Sequence, residues 1–130
     1  MSLLKIENSE QEGVAILRLG GSADMDEARS LSQQLMRLQG LGKFRLVLDL
    51  ENLNFISSMG LGGLIQAHRE CQKQGGSLAL VNPAAAVLKI FRTTRLDSLF
   101  QICKTVQEAV TLCREAPGPE KPAQTRTGKE

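Results

Sequence analysis

Few side chains in this sequence are equipped for chemistry, and most of those are poorly placed for it. His68 is the sole histidine. It stands at helical spacing from Leu61, Leu64 and Ile65, so it reads as a partly buried structural residue. Cys71 lies one turn further on, but a cysteine–histidine pair on one helix still lacks an oxyanion site and an orienting third group. Cys103 and Cys113 have no ligand spacing, so metal ligation is not expected. Asp49 and Glu51 sit two residues apart without an acid–base partner. Asp49 reads as a hydrogen-bonding partner of loop backbone, and Glu51 as solvated. The run Gly60-Leu61-Gly62-Gly63-Leu64-Ile65 has Ile where a dinucleotide fingerprint needs its third glycine. No Gly-Lys-Ser or Gly-Lys-Thr follows it. Small residues here would instead let a helix start pass close to neighbouring backbone. No enzymatic role, metal or cofactor is expected.

Two serines remain. Ser57 and Ser58 follow an apolar strand and a loop and directly precede a helical stretch. In open α/β sheets, function gathers at the carboxyl ends of strands. One of the two serines is expected to cap the helix. A hydroxyl at this point is also exposed beside the positive end of a helix dipole, where a phosphate is tolerated by the fold. The same phosphate adds about 1.5 to 2 negative charges to any interface covering it. A fold that survives while its interface fails has the physics of a switch.

The elements that position these serines are legible from periodicity. Leu3–Glu7 and Val14–Leu19 read as strands joined by a short polar turn, hence as an antiparallel hairpin, and Gly20-Gly21 breaks the chain after them. Asp24 and Glu27 have capping-box spacing ahead of a helix carrying Met25, Ala28, Leu31, Leu35 and Leu38. Phe44–Leu50 is a strongly apolar strand, followed by a loop to Ser57. A helix from there ends at Gly75-Gly76, and Ser77–Val81 is another buried strand. Asn82-Pro83 reads as a helix start with Asn as the cap. Leu99–Ile102 reads as a short strand, and Thr105 with Glu108 as a second capping box before a helix to about Arg114. The order β-β-α-β-α-β-α-β-α implies one α/β domain over residues 1–115, with a mixed, mostly parallel sheet and about four helices. Three of the four prolines fall after residue 116, and residues 116–130 read as a disordered tail.

Composition narrows the partners. Apolar residues make up 42% of the chain and charged residues 23%, an ordinary globular balance. The net charge is +2, its basic residues are scattered, and Trp and Tyr are absent, so nucleic acid is a poor partner. The odd cysteine count without a Cys-x-x-Cys pair suggests reduced thiols and a cytoplasmic setting. No apolar run approaches the roughly 20 residues of a membrane span, and no membrane insertion is expected.

The stretch from Leu46 to Gly62 resembles the STAS domain of bacterial anti-sigma factor antagonists. Gly21-Ser22-Ala23-Asp24, Leu80–Pro83 and Leu96–Ile102 match the family's pattern as well, so the resemblance covers about residues 3–113. The family's loop of Asp, Ser or Thr, Ser or Ala, then Gly falls on Ser57, Ser58, Met59 and Gly60. The resemblance implies that Ser58 is phosphorylated by a partner serine kinase, an anti-sigma factor using its own Mg-ATP. It implies that partner contact falls on Ser22, Asp24, Ser57, Ser58, Met59, Gly60 and Gly62. The unphosphorylated protein would bind the anti-sigma factor and free a sigma factor, and a phosphatase would reset it. Ser57 stands where the family has an acid, and Met59, where it has a small residue, adds an adaptable apolar contact. STAS-like domains also serve as scaffold subunits of transport and signalling complexes, which is the alternative reading. The chain itself is expected to be a monomer or weak dimer.

Overall fold

The computed structural model describes residues 4–117. The chain opens with an antiparallel hairpin, β1 (Leu4–Gln11) and β2 (Val14–Ala23). The two-residue turn uses Glu12 and Gly13, both at positive φ (54° and 81°), the geometry that matches strand twist in tight hairpins. From β2 onward every strand is parallel to its predecessor: β3 (Arg45–Ile56), β4 (Ser77–Val81) and β5 (Gln101–Cys103). Spatial order equals chain order, β1-β2-β3-β4-β5. The helices are α1 (Met25–Gly40), α2 (Ser58–Lys73), α3 (Ala85–Thr93) and α4 (Val106–Arg114), with one turn of 3-10 helix at Leu96–Ser98. This is the single α/β domain with a mixed five-stranded sheet that the sequence implies.

Strand alternation divides the interior into two layers. Leu17, Leu19, Leu46, Leu48, Leu50, Leu78 and Leu80 form one face, packed against Leu31 and Leu35 of α1, Leu64 of α2, and Val87 and Phe91 of α3. Ile16, Val47, Ala79 and Val81 form the other, covered by Ala109, Val110 and Cys113 of α4.

Five local readings change. β1 continues past Glu7 to Gln11, which leaves only Glu12-Gly13 of the turn expected after it, and β2 runs unbroken through the expected break at Gly20-Gly21. The segment after Leu50, expected to be a loop, continues β3 to Ile56. It stays paired because β2 also runs through Gly20-Gly21 to Ala23, with register shifts between Arg18 and Gly20 and between Gly21 and Ser22. Such bulges absorb extra residues without ending a ladder, and the irregular polarity they cause hides the strand from an alternation test. Asn82 does not cap α3. It sits at φ 47° and donates its backbone N–H to the Cys103 carbonyl at 2.9 Å, while Ala84 begins the helix without a side-chain cap. The short final strand is shifted to Gln101–Cys103 because Phe100 turns inward, 6.0 Å from the Phe91 ring. Gly75-Gly76 does end α2: Gly75 has φ 78°, Gly76 N–H donates to Cys71 O at 2.7 Å, and a Cβ on Gly76 would collide with the Phe44 carbonyl. At the domain's end, the Ala116 carbonyl accepts from Arg45 Nη2 at 2.9 Å. Most of the expected tail, residues 118–130, lies outside the described residues.

Candidate functional site

β2 and β3 end side by side, with Ser22 paired to Phe55 and Ala23 to Ile56. Each strand then turns directly into a helix. Asp24 accepts from Glu27 N–H at 3.0 Å and caps α1. Ser57 Oγ accepts from Gly60 N–H at 3.2 Å and caps α2. The two turns are tied together where Ser57 N–H donates to the Ala23 carbonyl at 2.8 Å. Two helix N-termini therefore open on one surface.

The cap that the sequence left open between Ser57 and Ser58 falls to Ser57. Ser57 is 7% exposed, and its hydroxyl is committed to the cap. Ser58, the first residue of α2, is exposed. The first turn of α2 holds no acidic residue. The dipole end beside Ser58 therefore has no carboxylate in its own first turn, and a negative group there meets attraction from the helix.

Three exposed large apolar side chains stand at this end of the sheet. Phe55 is 43% exposed and Met59 42%. Met25, at the start of α1, is 63% exposed. Exposed large apolar side chains in one neighbourhood are the usual mark of a protein-binding surface. Gly60 is required for space: a Cβ would stand 2.7 Å from Ile56 Cγ1 and 3.6 Å from Ala28 Cβ, between the two helix starts. Gly62 meets nothing within 4 Å and is exposed. It lies one turn beyond Ser58 on the same helix face, so it leaves the approach to Ser58 low without being needed for packing. Gly63 serves packing instead, since a Cβ there would strike Ser32 Oγ on α1.

Ser22, Asp24, Ser57, Ser58, Met59 and Gly60 thus gather at one end of the sheet, with Gly62 adjoining. Phe55 and Met25 belong to the same surface but escaped sequence reasoning. Phe55 sat in the segment read as loop, and Met25 fits the apolar spacing of α1 equally well as a core residue. The signal for Phe55 was available in kind: it is one of only four aromatics in the chain, next to the serines.

The other chemical candidates are separated. His68 is 4% exposed and stacks edge-on against Phe100 at 5.2 Å, and burial, followed by the nearby Arg69 charge, lowers its pKa. Cys71 instead accepts from Gln39 Nε2 at 3.4 Å. Burial pushes the Cys71 and Cys113 thiols up to about 11, which leaves them protonated and inert. Asp49 accepts from the Glu51 backbone at 3.1 Å and pairs with Arg18 at 3.6 Å, while Glu51 is exposed. Among the described residues no cluster of His, Cys, Asp and Glu could hold a metal ion, and no helix is long and apolar enough to cross a membrane.

Fold and site together define a single α/β domain that presents a capped, serine-bearing helix start at the ends of parallel strands. The STAS domain family model matches residues 5–109, and the chain belongs to that family. An anti-sigma F factor antagonist of Paenibacillus polymyxa is 30% identical over 115 residues, covering 86% of this chain and 94% of the relative. The anti-sigma-F factor antagonist RsfB of Mycobacterium tuberculosis is 26% identical over 103 residues, covering 79% and 84%. The crystal structure of an anti-sigma factor antagonist from Mycobacterium paratuberculosis superposes with a TM-score of 0.77 at 25% identity, covering 86% of this chain and 95% of that one.

Proposed function

We propose that this protein is an anti-sigma factor antagonist that binds its anti-sigma factor through the surface around Ser58 and is released by phosphorylation of that serine. The observation carrying the proposal is the division of labour between the two serines: Ser57 is buried in the α2 cap, while Ser58 is exposed beside it. A kinase reaching this turn finds one accessible hydroxyl. The phosphate would sit at a helix start with no acid in its first turn, so the fold tolerates it. A partner covering Phe55, Met59 and Ser58 would have to desolvate the same phosphate, a cost that falls on the complex alone. The kinase is the anti-sigma factor, using Mg-ATP that it binds itself, and a phosphatase restores the active form.

Ser57 also accounts for the family's acid at this position. The cap needs an oxygen acceptor, and a serine hydroxyl supplies one as an aspartate would. What is lost is a charge, not the geometry of the turn. Incubation with the cognate anti-sigma factor and Mg-ATP is expected to add one phosphate to the wild type and none to Ser58→Ala. A phosphate that persists in Ser58→Ala would overturn the assignment.

A phosphorylation-independent scaffold is the second reading, favoured by the missing acid at Ser57 and the exposed Met59. Copurification with transporter or signalling subunits, with Ser58 unmodified throughout, would select it.

A further inference from the structure

The sheet has two edges, and they differ. β5 is three residues long, whereas β1 is an eight-residue strand paired on one side only among the described residues. Long edge strands are templates for another strand unless something blocks them. β1 contains no proline, and the surface beside its first half is strand-lined, by Lys5, Glu7, Arg18, Gly20 and Asn52.

The side chains of β1 restrict which strand could add. In an antiparallel pairing of two identical strands around a two-fold axis, directly opposed residues must point to the same face, so the axis passes through a residue. An axis at Lys5 opposes Lys5 to itself, and an axis at Glu7 opposes Glu7 to itself. An axis at Asn8 sets Ile6 against Glu10. An axis at Ile6 sets Ile6 against Ile6 and Lys5 against Glu7 of the second copy, twice by symmetry. Ile6 already packs against the main core. Lys5 and Glu7 are exposed, and neither has an ion pair among the described residues. Opposed unlike charges and apolar pairs are what stabilise an antiparallel ladder, while like charges exclude the neighbouring registers.

We infer that a second copy of this chain docks on β1, forming a two-fold dimer centred on Ile6 with a continuous ten-stranded sheet. Leu4 pairs with Gly21, so the first residues of β1 lie toward the Ser58 end of the sheet. The two-fold axis reverses β1, which sends the two Ser58 surfaces to opposite ends of the joined sheet and leaves both open. With one strand contributed by each copy, the dimer falls among weak, transient interfaces. The inference is independent of phosphorylation.

Sedimentation of the full chain across micromolar to near-millimolar concentrations tests it. The wild type is expected to move from monomer to dimer. Lys5→Glu alone opposes Glu to Glu, and Glu7→Lys alone opposes Lys to Lys, so each is expected to weaken self-association by roughly tenfold or more. Mixing the two variants sets a strand with glutamate at both positions against a strand with lysine at both. The mixture is therefore expected to restore a dimer of one chain of each kind. A wild type that stays monomeric, a dimer unaffected by either variant, or a ladder of larger species would each overturn the inference. Ile6→Cys supplies a second readout: mild oxidation should link two chains through residue 6, the native thiols being buried. Absence of that link in a sample that sediments as a dimer would also overturn it.

Discussion

The starts of α1 and α2 are built on one plan and filled with opposite chemistry. Both follow a parallel strand, and both have a side-chain oxygen accepting from the N–H three residues on. Position by position, Asp24, Met25, Asp26 and Glu27 on α1 correspond to Ser57, Ser58, Met59 and Gly60 on α2. The first helix answers its dipole with three carboxylates. The second has none. Its positive end is left open beside an exposed hydroxyl, and the position matching Glu27 holds a glycine pressed against Ile56 and Ala28. The contrast teaches that α2 is the start whose dipole is unanswered by any acid of its own first turn, which is what the proposed phosphate on Ser58 requires.

Substitutions that exchange features between the two starts should break or sharpen this contrast. The largest effect is expected at Gly60. Gly60→Leu forces a branched side chain against Ile56 and should cost about 1–3 kcal/mol in urea unfolding. The matching Glu27→Leu on α1 should cost under about 1 kcal/mol, because that position is partly exposed and already holds a long side chain. Next come the caps. Asp24→Ala and Ser57→Ala should each cost about 1 kcal/mol, with the Asp24 loss more sensitive to salt because it removes a charge as well as an acceptor. Ser57→Asp should move α2 toward α1, gaining about 0.3–1 kcal/mol at low ionic strength and losing that gain as salt rises. The smallest effect is expected for Ser58→Ala, within about 0.5 kcal/mol of wild type, since the side chain is exposed and the cap belongs to Ser57.

His68 adds a pH test that lies on α2 but outside its first turn. Its folded-state pKa is lowered, so its contribution to stability is present above the unfolded value near 6.5 and is lost as pH falls below it. Urea unfolding at pH values about one unit above and about one unit below that point should show the loss in the wild type. His68→Leu should remove this part of the pH dependence. An unchanged pH profile in His68→Leu would assign the effect to other groups.

Much of this arrangement was legible in advance because the physics that produced it is local. Leucine alternation exposes the central strands, and the Asp24–Glu27 and Thr105–Glu108 spacings announce two helix starts. Thr105 does accept from Glu108 N–H, at 3.1 Å, though the Glu108 carboxylate reaches the Lys104 N–H and not that of Thr105. What escaped depends on pairing between distant segments. The extension of β3 to Ile56 exists because β2 continues beside it through two glycines, and neither segment alternates cleanly. The exposure of Phe55 follows from that pairing with Ser22. Asn82 was a plausible cap by composition, but the carbonyl of Cys103 claims its N–H and holds it in the left-handed region. The choice between Ser57 and Ser58 as the cap was likewise invisible, since both are the same residue type and suit the position equally.

The central claim is that a phosphate on Ser58 spares the fold and defeats the interface. Its most direct test measures both on one sample: protein phosphorylated by the cognate anti-sigma factor, its site confirmed by mass, its stability followed by urea unfolding and its affinity for that anti-sigma factor by titration. The expected result is a stability equal to or slightly above that of the unmodified protein, with affinity reduced about a hundredfold, a difference of about 2.8 kcal/mol. Unchanged affinity would contradict the account, and so would a loss of affinity that merely tracks unfolding.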